Sequence, residues 1–269
     1  MDRGSTAQWR MIKYDDGRAL ETDDEIAAEY PFTLRVDGEE FATIVCTPSD
    51  LHDLTIGFLA SEGVIRAASD VESLTLDEDR GFAYIRLHRK QSTGKINYAK
   101  RFIGSCCGKS RQFYFHNDVQ TAKTITSRTR IGADRCLELM RLLQNGSDVF
   151  RQTGGVHNAA ICTEDGLVAA RSDIGRHNAL DKLFGHCLRS GIPARDKIIV
   201  FSGRLSSEVV LKTAKIGCGI LLSKSAPTDL ALRLAEDLGV TCAGFIRGTV
   251  MNVYTHPDRI VFPSGNETP

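Results

Sequence analysis

The sequence predicts an α/β protein: a core with a largely parallel central sheet and flanking helices, preceded by a smaller N-terminal α+β portion. Three observations carry that expectation. From residue 151 onward, short apolar runs alternate with amphipathic stretches of helical period, the pattern of crossover units on one sheet. Before residue 90, runs of strand character bracket one helix-period segment. A chain of 269 residues, 42% of them hydrophobic, is long enough to bury one large core or two modest ones.

Residues 1–30 form an acidic N-terminal arm. Asp15, Asp16, Glu21, Asp23, Asp24, Glu25 and Glu29 crowd its second half, no apolar period is sustained, and a loosely held arm or edge strand is expected. The N-terminal α+β portion spans 31–130. There "FTLRVDGEEFATIVC" reads as two strands around Asp37-Gly38. "TPSDLHDLTIGFLASEGVI" follows as a helix capped by Ser49 or Thr47 and stopped at Gly63, and "VESLTLDEDRGFAYIRLHR" returns to strands. From about 91 to 130 the pattern dissolves into a Gly/Ser/Lys/Arg-rich stretch, too long for a passive connection, and a mobile functional loop is expected.

The α/β core spans 131–269. "ADRCLELMRLLQN" is a helix with Cys136, Leu137, Met140 and Leu143 on one face, ending near Gly146. "GVHNAAIC" and "LVAAR" pair as strands about Glu164-Asp165-Gly166, and "NALDKLFGHCLRSG" puts Leu180, Leu183, Phe184, Cys187 and Leu188 on a helical stripe. Three strand-then-helix units follow: "KIIVF" with "SGRLSSEVVLKTAK", "GCGILLSK" with "SAPTDLALRLAEDLG", and "VTCAGFI" with "RGTVMNVYTH". "RIVF" closes the chain as a strand.

Thirty-four Lys+Arg balance thirty-four Asp+Glu, so net charge points to neither nucleic acid nor a membrane as partner. The start has no apolar core for a signal peptide and no run approaches eighteen apolar residues, so a cytoplasmic protein is expected. Six of the eight cysteines are scattered singly, as small buried hydrophobes are. The exceptions are Cys106 and Cys107, adjacent in "IGSCCGKSRQFYF", within a segment (95–130) that carries eight Lys/Arg against Asp118 alone.

Adjacent Cα atoms lie ~3.8 Å apart, below the usual disulfide range, so a Cys106–Cys107 staple is the weakest reading. Lys109, Arg111 and Arg101 favour a thiolate and the neighbouring glycines leave it accessible, which suits a nucleophilic or sulfur-carrying cysteine. The competing reading, one thiol buried and the other merely exposed, stays open on spacing alone.

In open α/β sheets, ligands sit beyond the carboxyl ends of strands, where helix N-termini offer N–H groups to anions. Those positions are polar here: Ser202-Gly203-Arg204 after one strand, the run from Ser223 through Ser225 to Thr228 after the next, and Arg247-Gly248 after the third. A phosphate-bearing or nucleotide-like ligand fits, although turn and cap duty accounts for any one loop equally well. "TGGVHNAA" and "SDIGRHNALDK" add His157, Asp173, Arg176, His177, Asn178, Asp181 and Lys182 at element boundaries; for His177 a capping or core role competes with ligand contact. No zinc site is expected, because His157 is followed by Asn158-Ala159 rather than x-Glu and the chain holds no Cys-x-x-Cys.

Together, "TPSDLHDLTIGFLASEGVI", "GSCCGKS", "TGGVHNAA", "DIGRHNALDK", "SGRLSSEVVLK", "SAPTDLALRLAEDLGVTCAGFIRG" and "NVYTHPDRI" resemble the FdhD family of formate dehydrogenase accessory sulfurtransferases, from about residue 30 to 262. The resemblance implies a cytidine-deaminase-like mixed sheet core without the zinc site, and usually a homodimer. It implies an enzyme that takes sulfane sulfur from a cysteine desulfurase onto a cysteine persulfide. That sulfur passes to the molybdenum cofactor, bis-molybdopterin guanine dinucleotide, before the cofactor enters the formate dehydrogenase apoenzyme.

Many members carry C-G-x-C in the mobile loop, with the first cysteine as carrier. Here Cys107-Gly108-Lys109-Ser110 keeps that cysteine at Cys107, places Ser110 at the second, and leaves Cys106 extra, a resolving partner or dispensable. The resemblance also implies that Phe245, Ile246, Arg247, Gly248, Thr249 and Val250 contact the cofactor, with Ser202, Gly203, Arg204, Ser225 and Thr228 along the same edge and His157, Arg176, His177 and Lys212 lining it. Two other classes stay open: a cofactor-binding chaperone without covalent sulfur transfer, and a thiol-redox or zinc enzyme on the same core.

Overall fold

The computed structural model describes residues 4–89, 102–103 and 124–263. Strands β1 (Thr6–Asp15) and β2 (Arg18–Ala27) pair antiparallel in an unbroken register from Thr6↔Ala27 to Asp15↔Arg18. The acidic arm is therefore a regular hairpin rather than a loosely held segment. Its two-residue turn, Asp16-Gly17, takes positive φ at both positions, the turn whose twist matches its strands.

A five-stranded sheet follows, in the order β5 (Val71–Asp77), β6 (Phe82–Leu87), β3 (Tyr30–Val36), β4 (Glu39–Cys46), β7 (Phe102–Ile103). β3 and β4 turn at Asp37-Gly38 as expected, and β7 adds to β4 in parallel, Thr43↔Phe102 and Ile44↔Ile103. Helix α1 (Leu51–Ser61) is entered through Asp50 in a left-handed conformation and is not capped by Ser49 or Thr47. Those side chains serve the core instead: Thr47 Oγ1 accepts from Ile174 N at 3.0 Å and Ser49 Oγ from Lys182 Nζ at 3.3 Å. The helix stops just before Gly63, as expected.

In the core, β8 (Ile131–Gly132) leads into α2 (Ala133–Asn145) and the short α3 (Asp148–Thr153), a six-residue helix that shows no readable period. Then come β9 (His157–Thr163), β10 (Gly166–Asp173), α4 (Arg176–Arg189), β11 (Ile198–Phe201), α5 (Ser207–Ile216), β12 (Ile220–Ser223), α6 (Asp229–Leu238), β13 (Thr241–Arg247), β14 (Val250–Val253) and β15 (Ile260–Val261).

The central sheet runs β10-β9-β11-β12-β13-β14 and is mixed rather than largely parallel. Only β11, β12 and β13 are parallel; the β9–β10 hairpin enters antiparallel to β11, and β14 folds back on β13. "RGTVMNVYTH" is thus a turn and strand, not a helix: Val250 and Val253 belong to a short extended run after Gly248, which has φ +57. β15 pairs with β8 outside this sheet.

Alternation along the central strands splits the core into two layers. Ile161, Ile199, Phe201, Leu221 and Cys242 face α4, α5, α6 and the N-terminal sheet in one continuous cluster. Ala160, Cys162, Ile198, Val200, Ile220, Leu222 and Ala243 face α2. On α2 the buried set is Cys136, Leu139, Met140 and Leu143, with Leu137 only partly covered.

Helices α1 and α4 cross backbone to backbone. A Cβ on Gly57 would stand 1.7 Å from the carbonyl oxygen of Asp181, and one on Gly185 would stand 1.9 Å from that of Asp53, so only glycine permits the crossing. Among the described residues no helix is long and apolar enough to cross a membrane.

Candidate functional site

The carboxyl ends of β11, β12 and β13 meet the amino ends of β9, α4 and α5 along one edge. The loops there are knitted to one another. Ser202 N donates to Asn158 O at 3.0 Å, and Ser202 Oγ accepts from Asn158 N at 2.8 Å. Ser225 Oγ donates to Ser202 O at 3.0 Å, Ser223 Oγ to Gly203 O at 2.7 Å, and Phe245 N to Ser225 O at 3.2 Å. The three turns after the parallel strands therefore form one rigid rim.

A Cβ on Gly203 would lie 2.8 Å from the Phe201 ring and 3.4 Å from His157 Nδ1, so glycine is required where this turn passes the histidine. Arg204 is exposed beside it. Phe245 sits at φ +52, which turns its ring outward, and the Arg247 guanidinium lies 5.9 Å from the ring centroid while its Nε reaches Lys224 O at 3.3 Å. Gly248, Thr249 and Val250 are exposed at the β13–β14 turn. Two guanidinium groups and an outward aromatic face suit a nucleotide, its phosphates on the arginines and its base against the ring.

His157 is half-buried at this edge. Burial first, then the Arg176 guanidinium, hold its imidazole below the usual range against the opposing pull of Asp173. His177 Nε2 stands 2.8 Å from Glu208 Oε2, tying the first turn of α4 to that of α5. Arg176 Nε and Ser206 Oγ are buried without a hydrogen-bond partner among the described residues, two donors held at converging helix N-termini. Asn158, Ser206 and Glu208 were not singled out from the sequence. The position of Ser206 two residues beyond Ser202-Gly203-Arg204 is the signal that was available for it.

Three expected residues have other duties. Ile246 is 1% exposed and packs in the core below the rim. Lys212 is buried against Asp181 and Ser61's neighbourhood between helices, where its ammonium is ion-paired to Asp181, and it does not line the edge. Thr228 is the N-cap of α6, its side chain accepting from Ala231 N, while its own N–H donates to Leu205 O at 3.0 Å.

Cys106 and Cys107, with Lys109, Arg111 and most of the expected mobile loop, lie outside the described residues. The other six cysteines are all buried. Burial pushes the Cys187 thiol up to about 11 and those of Cys136, Cys162 and Cys242 to about 12, and raises Cys46 and Cys218 as well. None of these six is an available nucleophile at neutral pH.

β7 is the described stretch nearest in sequence to the vicinal pair. Because β7 runs parallel to β4 with Ile103 opposite Ile44, the C-terminal end of β7 lies at the end of β4 that leads into Val45–Thr47. Val45 O accepts from Asn178 Nδ2 at 2.9 Å and Thr47 N donates to Asp173 Oδ2 at 3.0 Å, so this end of β4 adjoins the head of α4 that carries Arg176 and His177. Cys107 is four residues on from Ile103 in sequence, which bounds their Cα separation at ~14 Å.

The FdhD/NarQ family model matches residues 27–261. The chain belongs to the FdhD/NarQ family. It is 60% identical over 259 residues to the sulfur carrier protein FdhD of Geobacillus kaustophilus, covering 96% of this chain and 98% of that one. To the protein of the same name from Bacillus subtilis it is 54% identical over 255 residues, covering 95% and 97%. Among solved structures, a putative formate dehydrogenase accessory protein from Desulfotalea psychrophila superimposes with a TM-score of 0.79 at 23% identity, over 96% of this chain and all of that one. That likeness supports the mixed α/β fold of this FdhD/NarQ member.

Proposed function

We propose that this chain is a cytoplasmic sulfurtransferase that carries sulfur on Cys107 from a cysteine desulfurase to the molybdenum cofactor, in its bis-molybdopterin guanine dinucleotide form, for formate dehydrogenase. The relatives named sulfur carrier protein support the class of activity. The observation that carries the assignment is the burial of the other six thiols, combined with the end of β7, a few residues before the adjacent cysteines in sequence, lying at the end of β4 that adjoins the head of α4.

In loading, the Cys107 thiolate attacks the terminal sulfur of the desulfurase persulfide. A new S–S bond forms, the old one breaks, and the desulfurase cysteine leaves as a thiolate, so no external oxidant or reductant enters. Lys109, Arg111 and Arg101 favour the thiolate. The cofactor is substrate and cargo here. Its guanine ends are held by the rim of Ser202-Gly203-Arg204, Ser225 and Phe245 to Val250, with the pyrophosphates on Arg204, Arg247 and Arg176. A neutral His157 adds a hydrogen-bonding group without a second charge.

Intact-mass spectrometry after incubation with a cysteine desulfurase and cysteine tests this. The expected result is a reducible gain of one sulfur mapped to Cys107, lost in Cys107→Ala and retained in Cys106→Ala. No gain of sulfur, with the desulfurase active on another acceptor, overturns covalent carriage and leaves a cofactor-holding protein.

A further inference from the structure

Asn178 is a weak helix former set in the first turn of α4, and α4 starts at Gly175 without a side-chain cap. The hydrogen bonds of the Asn178 side chain leave its helix. Nδ2 donates to Val45 O on β4 and to Asp173 Oδ1 at the end of β10, both at 2.9 Å. Both partners can only accept, which fixes the amide nitrogen, and not its oxygen, on their side. The residue is 6% exposed, and a Cβ on Gly175 would stand 2.7 Å from Nδ2, so the helix entry closes down on the carboxamide.

Asp173 divides between the two sides of this junction. Its Oδ1 takes Gly175 N and Asn178 Nδ2 from the head of α4, and its Oδ2 takes Thr47 N, just past β4, and Lys182 Nζ. Asn178 reaches β4 itself, at Val45, one residue beyond the last described pair of the β4–β7 ladder, Ile44↔Ile103. Arg176 and His177 precede it on the same helical turn. The edge proposed above to seat the nucleotide and the strand that ends four residues before Cys107 are therefore joined across one carboxamide.

We infer that Asn178 is a positioning residue for sulfur carriage: by tying the end of β4 to the first turn of α4, it holds the root of the Cys107 segment at the nucleotide rim. The inference rests on Cys107 as carrier and on the rim as the nucleotide's seat. Because Cys107 lies within ~14 Å of Ile103, the placement of that root decides what the thiol can reach. A misplacement of about 1 Å can cost an aligned reaction about 100-fold, so a residue that touches no substrate can govern the rate. Asparagine suits the place by chemistry: aspartate would set a third acceptor against a carbonyl and a carboxylate, and alanine would leave both short of a donor.

Protection of Cys107 by a nucleotide tests the tie. In a Cys106→Ala background, saturating guanosine diphosphate is expected to slow iodoacetamide alkylation of Cys107 by about 5-fold or more, because a diphosphate close to a thiol disfavours the thiolate. Adding Asn178→Ala should abolish that slowing while guanosine diphosphate binds within about 2-fold of its original Kd and the far-UV spectrum is unchanged, which loss of fold would not give. Gly175→Ala, whose methyl presses on the same Nδ2, should weaken the slowing in the same sense. A wild type whose Cys107 reacts equally fast with and without the nucleotide overturns the inference, and so does full slowing retained in Asn178→Ala. Loading of Cys107 by a desulfurase, measured in parallel, separates the two readings: sulfur gained without protection refutes the tie alone, and protection without sulfur gained refutes carriage alone.

Discussion

Lys182 Nζ stands 2.7 Å from Asp173 Oδ2, and neither side chain reaches water. Asp173 also accepts from Thr47 N, Gly175 N and Asn178 Nδ2, while Lys182 also donates to Thr47 O, Ser49 Oγ and Ser172 O. The pair joins the end of β4 to the end of β10 and the head of α4. Lys182→Met leaves a buried carboxylate short of its counter-charge and should cost about 3–5 kcal/mol. Urea unfolding should also show that adding Asp173→Asn recovers part of the loss, because the buried charge is then gone.

Thiol reactivity should divide the cysteines sharply. With burial holding Cys187 near 11 and Cys136, Cys162 and Cys242 near 12, iodoacetamide at pH 8 should label no more than the Cys106–Cys107 peptide in the native protein. All eight positions should label in denaturant. Native labelling of any of the six buried cysteines, read by peptide mapping, would contradict the exclusion of those thiols.

Stability should fall in mild acid, and His157 should account for part of the fall. Its folded value lies below the ordinary 6.5, so as pH drops the unfolded chain takes up the proton first. Stability is then fully present above about 6.5 and is lost progressively as pH falls toward the lowered folded value. His157→Gln should flatten the urea midpoint between pH 7 and 5 without abolishing the slope, since burial lowers His52 in the same sense. An unchanged slope would mean that His157 is not held neutral by the fold.

Gly57→Ala should be among the most damaging single methyl additions available, because its Cβ meets the Asp181 carbonyl at 1.7 Å and backbone cannot swing aside. A loss of about 3 kcal/mol or more in thermal or urea unfolding is expected, the upper end for overpacking. Gly132→Ala, with nothing within 4 Å of the added carbon, is the control and should stay within about 0.5 kcal/mol.

Much of the architecture was legible because short signals agreed with their surroundings. Asp37-Gly38 turned where expected, and the α4 stripe of Leu180, Leu183, Phe184 and Cys187 is buried. The failures have physical causes. Asp16-Gly17 carried the same turn signal as Asp37-Gly38 but was masked by surrounding acids, which an exposed ribbon tolerates. Val250 to Val253 is too short for its period to show, and its pairing with β13 is a tertiary fact. At the site, the three polar rims were readable from composition. The inward turn of Ile246 and the burial of Lys212 against Asp181 were not, because a one-residue change of facing is invisible in a string of contact-forming residue types.

The β4–β7 ladder shapes how this family member can vary. Ile103 is held opposite Ile44 by main-chain pairing, which any residue but proline supports. On the proposed carriage by Cys107, chain length between 103 and 107 bounds its distance from that ladder, so insertions there should impair the loading of sulfur more than substitutions at 102 or 103 do.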